Sequence, residues 1–185
     1  MSISSRSRQL GFTLMELLTT LCIAGVLAVI GMPALGSMLA RSHTQSAENA
    51  LQASLMHARE TAVTRGVQVI VCPSTDARHC DAGDDWQHGW LVAADTDHDR
   101  RPDNGASPLA VFDALPSGMR VIASRGRPLI VFRPDGSAAG SNAELTLCHR
   151  GDQRGGQAVV IANSGRVRIA AALPDRLRQC LTGMQ

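Results

Sequence analysis

The chain has 185 residues, enough for one globular domain plus a long helix, and a net charge of only +2. All 18 basic residues are arginine, and lysine and tyrosine are absent. Missing lysine excludes Schiff-base and pyridoxal phosphate chemistry and a Walker A phosphate loop, while two Trp and three Phe are too few for aromatic base-stacking platforms. The small net charge is a cancellation. Asp76 to Asp113 holds nine acidic residues against three arginines, and Ala114 to Gln185 holds ten arginines against four acidic residues. An acidic middle and a basic C-terminal region point to two faces with different partners.

In chain order, a short polar leader, Met1 to Gly11, carries Arg6 and Arg8. An apolar run follows from Phe12 to Ala40, long enough to cross a bilayer, with Glu16 its sole charge. Arginines before the run place the leader in the cytoplasm and the remaining chain outside. A secretory signal cut near Ala34-Leu35-Gly36 is the alternative. Glu16 argues against it: a carboxylate in an apolar membrane helix is expensive and calls for a positive partner. Beyond Pro33 the helix resumes, with Ala47, Leu51, Leu55, Ala58 and Ala62 forming an amphipathic stripe. Gly66 stops it, with Arg65 in the last turn. At about 1.5 Å per residue the whole helix would extend about 80 Å.

Short strands follow: Val67–Cys72, Gly89–Ala94, Leu109–Leu115, Arg120–Ser124, Leu129–Arg133, Ala143–His149, Ala158–Ala162 and Val167–Ala171. Gly and Pro separate them, and Asn163-Ser164-Gly165 is a hairpin turn signal. One long helix and then many strands predicts an α+β fold, the helix packed on an antiparallel β-sheet.

Gly11-Phe12-Thr13-Leu14-Met15-Glu16 resembles the class III signal of type IV prepilins and pseudopilins. The resemblance implies cleavage by a prepilin peptidase between Gly11 and Phe12, and methylation of the new Phe12 amine. It gives Glu16 the role of neutralising a neighbouring subunit's N-terminal amine during assembly. Pro33 falls where pilin helices kink. The implied organisation is a leader at 1–11, a transmembrane and filament-core helix at 12–40, and a periplasmic pilin-like domain at 41–185. Localisation is then the bacterial inner membrane, single-pass, and afterwards a pilus or pseudopilus.

Cys22 lies in the apolar helix and reads as a small core residue. Cys72, Cys80, Cys148 and Cys180 permit three pairings. In an oxidising periplasm, Cys72–Cys80 with Cys148–Cys180 is the favoured set. Zinc held by cysteines with His79 and His149 is the alternative, without compact ligand spacing to support it. Val71-Cys72-Pro73-Ser74, Cys80, Trp86-Gln87-His88-Gly89-Trp90 and Gly165-Arg166-Val167-Arg168 are similar to the GspH/FimT group of minor pilins and pseudopilins. Partners implied are other major and minor pilins.

Asp95-x-Asp97-x-Asp99 resembles the opening of a calcium loop, but Arg100 replaces the turn glycine and no Glu closes it. A solvated turn is expected, with no metal and no cofactor. Arg166 and Arg168 alternate on a strand and share a face. With Arg176 and Arg178 drawn in by a Cys148–Cys180 bond, they would form a basic patch that binds phosphates without reading sequence, for which the resemblance implies double-stranded DNA as the partner. The resemblance associates the Gly-Arg-x-Arg region with DNA capture in natural transformation. Alternatives are pairing with a neighbouring subunit's carboxylates, or a GspH-like place in a type II secretion pseudopilus. No Gly-x-Ser-x-Gly or His-Glu-x-x-His occurs, so catalysis is not expected.

Overall fold

A computed structural model describes residues 13–150 and 156–184, without the side chains of residues 30–34 and 37. The chain divides into two units, 1–41 and 42–185. Helix α1, Leu14–Arg65, is one uninterrupted element through position 33. Thr13 caps its start: the N–H of Glu16 donates to Thr13 Oγ1 at 3.3 Å, satisfying one of the orphan donors of a first helical turn. In the first unit Leu14, Leu17, Leu21, Val26 and Val29 are exposed, and so is Cys22, which is therefore not a core residue. Among the described residues no helix is long and apolar enough to cross a membrane. The expected span at 12–40 falls partly outside them, at Phe12 and at the side chains of 30–34 and 37.

The described residues of the second unit contain the remainder of α1 and eight strands. They are β1 (Val69–Pro73), β2 (Trp90–Ala94), β3 (Ala110–Phe112), β4 (Met119–Ala123), β5 (Ile130–Phe132), β6 (Ala143–His149), β7 (Gln157–Ile161) and β8 (Val167–Ala171). Where the sequence suggested one sheet there are two, ordered β3-β2-β1-β5 and β4-β6-β7-β8, with every pair antiparallel. The division turns on β5, which joins β1 across a long sequence separation (Ile70 opposite Val131) while β4 pairs with β6.

Burial follows the two periodicities. Ala47, Leu51, Leu55, Ala58 and Ala62 of α1 are all buried, the stripe read from the sequence. They share one core with Val69, Val71, Phe132, Leu145 and Val159 from both sheets. Truncating a fully buried leucine such as Leu55 typically costs about 2–5 kcal/mol. Trp90 is pinned against the helix, its Nε1 donating to the buried Ser54 Oγ at 3.0 Å, and its ring stacks on Phe112 at 5.1 Å. The alternate residues of β1, Ile70 and Cys72, pack on the sheet's other face with Leu91, Ala93 and Val131. That is why β1 reads as an unbroken apolar run rather than an alternating one.

The C-terminal segment is a helix, α2, Pro174–Thr182, where the sequence suggested only a tail. Proline at its start suits a first helical turn. Leu177, Cys180 and Leu181, at helical spacing, cover Ile122 and Cys148 on the second sheet's outer face. Disulfides join Cys72 to Cys80 and Cys148 to Cys180. The second fastens α2 to β6.

Candidate functional site

The residues singled out in the sequence fall in three places. Gly11 and Phe12 lie outside the described residues. Glu16 is exposed in the first turn of α1, where the helix dipole favours a negative charge. Thr13 and Glu16 stand in the Thr-x-x-Glu spacing of a capping box, a signal the sequence reading passed over.

The second place is the β7–β8 hairpin. Its turn closes through Gly165 N–H to Ala162 O at 2.8 Å and Ala162 N–H to Arg166 O at 3.0 Å. Gly165 has φ +75°, and a Cβ there would stand 1.9 Å from Gly136 O. Only glycine lets the hairpin tip seat on that neighbouring turn. Arg59 of α1 holds the same carbonyl, Nε to Gly136 O at 2.9 Å, and Ala138 N–H donates to Asn163 O at 2.9 Å. The glycine of Gly-Arg-x-Arg is thus a packing residue that fixes where its arginines stand. Arg166 and Arg168 are exposed. Among the described residues neither guanidinium has a hydrogen-bond or ion-pair partner. Arg168 lies opposite Val160 on the edge strand β8. Glu144, opposite Val160 in turn, is two strands away, about 10 Å by strand spacing.

Arg176 and Arg178 do not join that pair. Arg176 lies half-buried and donates to the carbonyl of Ala123 on β4 and to Gln179. Arg178 pairs with Asp175 within α2. β4 and β8 are the opposite edges of the sheet, three strand spacings apart, about 14 Å. The four-arginine patch expected from the sequence resolves into two free arginines on one edge and two occupied ones on α2.

The third place is the acidic region. Asp95 is fully buried. It accepts from Gln68 Nε2 at 2.6 Å and from the N–H groups of Asp99 at 3.0 Å and Arg100 at 3.2 Å. Asp103 accepts from Thr96 N–H and Oγ1. Asp95, Asp97 and Asp99 have oxygens within 4.8 Å of one another. The inward-turned Asp95 already serves its own loop, which explains the three-carboxylate spacing structurally. In the loop closed by Cys72–Cys80, Asp76 bonds His79 Nδ1 at 2.6 Å and accepts the N–H groups of His79 and Arg78. The His79 side chain first, then those amides, hold the carboxyl far below the usual range. Asp85 pairs with Arg120 at 3.0 Å. Burial raises the carboxyl pKa of Glu48 on α1.

The family described as type II transport protein GspH matches residues 47–165. Among solved structures, the chain is similar to the type IV minor pilin FimU of Pseudomonas aeruginosa in two crystal forms. In one, identity is 21%, with 71% of this chain and 94% of that chain covered and a TM-score of 0.58. The other gives 21%, 69% and 96%, with a TM-score of 0.53. The minor pseudopilin EpsH from the type 2 secretion system of Vibrio cholerae aligns at 14% identity over 70% of this chain and 97% of that chain, with a TM-score of 0.48. No curated sequence matches. With well over half its length matched to GspH, and with a fold shared with FimU, the chain belongs to the GspH family of type IV pilin-like minor pilins and pseudopilins, structural subunits rather than enzymes.

Proposed function

We propose that this chain is a minor pilin of a type IV pilus, stationed near the pilus tip, that receives double-stranded DNA through its β7–β8 hairpin. The observation that carries the reading is the pair Arg166, in the turn that Gly165 locks in place, and Arg168, on the edge strand β8, both exposed and with guanidinium groups unpartnered among the described residues. Guanidinium groups so placed bind backbone phosphates without reading bases, and each phosphate neutralised adds to the salt dependence. A prepilin peptidase cuts after Gly11 and the Phe12 amine is methylated. The apolar side chains exposed along the first part of α1, Leu14, Leu17 and Leu21 among them, suit the inner membrane before assembly and a filament core afterwards. Glu16, exposed at the helix start, is available to a neighbouring subunit's amine.

The test is anisotropy of a labelled duplex with the full chain in neutral detergent. Wild type binds at low salt, and affinity falls as salt rises. Arg166→Gln/Arg168→Gln weakens binding and lowers the salt slope by roughly two. Unchanged binding in the double variant, or none in the wild type, refutes the DNA reading. In cells, loss of transformation with normal piliation separates DNA reception from assembly. A second reading is a subunit of a type II secretion pseudopilus, favoured by the description of the matched family. A secretion defect with intact transformation supports that reading instead.

A further inference from the structure

A second basic feature stands beside the hairpin and is not used by it. At the outer edge of β5 is a cavity of about 270 Å³, with Gln68, His98, Arg100, Arg133 and Ser141 in its lining and no carboxylate there. A smaller hollow of about 50 Å³ adjoins it, sharing Arg100 and adding Arg127. Among the described residues the guanidinium groups of Arg100 and Arg133 have no hydrogen-bond or ion-pair partner. Asp135, whose carboxyl is held low chiefly by Ser137, feels Arg133 only as a lesser influence.

The backbone around the cavity is unusual. Three non-glycine residues among those described have left-handed φ, and two of them, His98 (φ 63°) and Arg100 (φ 68°), line this cavity. Such conformations persist only where surrounding bonds over-determine them. Here the buried Asp95 does so, holding the N–H groups of Asp99 and Arg100 and itself held by Gln68. The aspartate thus sets a strained turn from which an arginine and a histidine reach the cavity. Opposite them, Ser141 Oγ bonds both the N–H and the carbonyl of Val131, closing the edge of β5 to strand addition. Asp97 and Asp99 stand on the same turn and oppose the positive field, but neither lines the cavity.

We propose that this cleft, lined by His98, Arg100 and Arg133, is a phosphate-binding site. Guanidinium forks match phosphate oxygens in geometry and charge, and Gln68 adds a polar wall. Arg133 opens the turn whose Gly136 carbonyl touches Gly165, so the cleft and the arginine hairpin occupy adjacent turns. A backbone phosphate of a nucleic acid held on the hairpin and a free phosphate ion are the two sources of this chemistry. The first of these rests on the DNA reading above; the phosphate site itself does not.

The experiment uses the full chain in neutral detergent with inorganic phosphate as probe, read by phosphorus NMR line broadening at fixed ionic strength. Wild type broadens the signal. Arg100→Gln/Arg133→Gln weakens binding about 100-fold, roughly tenfold per guanidinium, while Arg166→Gln/Arg168→Gln leaves it unchanged. Circular dichroism checks folding. Should the double variant fold poorly, Arg133→Gln alone, outside the Asp95 turn, loses about tenfold. No broadening by the wild type, or broadening that survives in Arg100→Gln/Arg133→Gln, overturns the proposal. Labelled duplex then separates the sources. Weaker DNA binding in Arg100→Gln/Arg133→Gln supports the site as a holder of backbone phosphate, and unchanged DNA binding with phosphate lost supports it as a site for the free ion. If phosphate binding behaves as expected while Arg166→Gln/Arg168→Gln leaves DNA binding intact, the hairpin reading fails and the cleft stands.

Discussion

Replacing both members of the second disulfide, Cys148→Ser/Cys180→Ser, tests whether α2 is held by covalent closure or by its own packing. The bond closes a loop of 32 residues, against 8 for Cys72–Cys80. Loop-closure entropy gives about 3.7 kcal/mol for the longer loop and about 2.5 kcal/mol for the shorter at room temperature. The unit they belong to spans residues 42–185. Its unfolding entropy is about 0.3 kcal/mol per kelvin, so the expected falls in Tm are about 12 °C and about 8 °C. Packing cannot replace the longer bond, because α2 offers only the apolar side chains of Leu177 and Leu181, with Met184 just beyond its end, to the surface around Ile122. The assay is thermal unfolding of the full chain in neutral detergent, followed by circular dichroism, with amide hydrogen exchange across α2. Cys148→Ser/Cys180→Ser should melt lower than Cys72→Ser/Cys80→Ser, and its α2 amides should lose protection before the sheets do. An equal or smaller loss than in Cys72→Ser/Cys80→Ser would refute the closure argument. Protected α2 amides would show that packing alone seats the helix.

Gly165→Ala forces a methyl group into Gly136 O, a backbone atom fixed by Arg59, at a left-handed φ. A loss of about 2–4 kcal/mol is expected by urea unfolding, and duplex affinity should fall with it although both arginines remain. Glu48 gives a pH signature. Burial raises its carboxyl above 4.5 in the folded protein, so the folded state holds that proton more tightly than the unfolded chain does. Its contribution to stability is neutral below 4.5 and turns unfavourable as pH rises through the folded pKa. Glu48→Gln should therefore raise the urea midpoint near neutral pH and leave it unchanged below 4.5. A lower midpoint near neutral pH would contradict this.

Local chemistry made much of the fold readable. The stripe on α1 was visible because apolar residues recur at helical spacing, and each strand was bounded by Gly or Pro. The division into two sheets was not visible, since β5 chooses β1 over its sequence neighbour β4, and no local pattern encodes such a non-local choice. α2 was missed because a nine-residue helix presents only Leu177, Cys180 and Leu181 as its apolar signature. The role of Gly165 was equally hidden, because its constraint comes from a turn almost thirty residues upstream.

The charge pattern shows most clearly what a sequence count can and cannot establish. The basic C-terminal region reads as one patch. Within the fold, five of its nine described arginines meet acceptors: Arg120 at Asp85, Arg127 at Gly140 O, Arg150 at Met184 O, Arg176 at Ala123 O and Arg178 at Asp175. Arg125, Arg133, Arg166 and Arg168 are the described arginines after Ala114 whose guanidinium groups stay unpartnered. The acidic block is absorbed likewise, Asp76, Asp95 and Asp103 each organising their own loops. Only Arg120 and Arg178 are offset by carboxylates; a guanidinium on a backbone carbonyl keeps its charge, but the N–H donors it spends there are not free for an anion. Attraction for an anion therefore concentrates where cations are left over. Two adjacent turns each gather a pair of them: the hairpin seated by Gly165, with Arg166 and Arg168, and the cleft lined by Arg133 and by Arg100, which Asp95 holds in a left-handed turn.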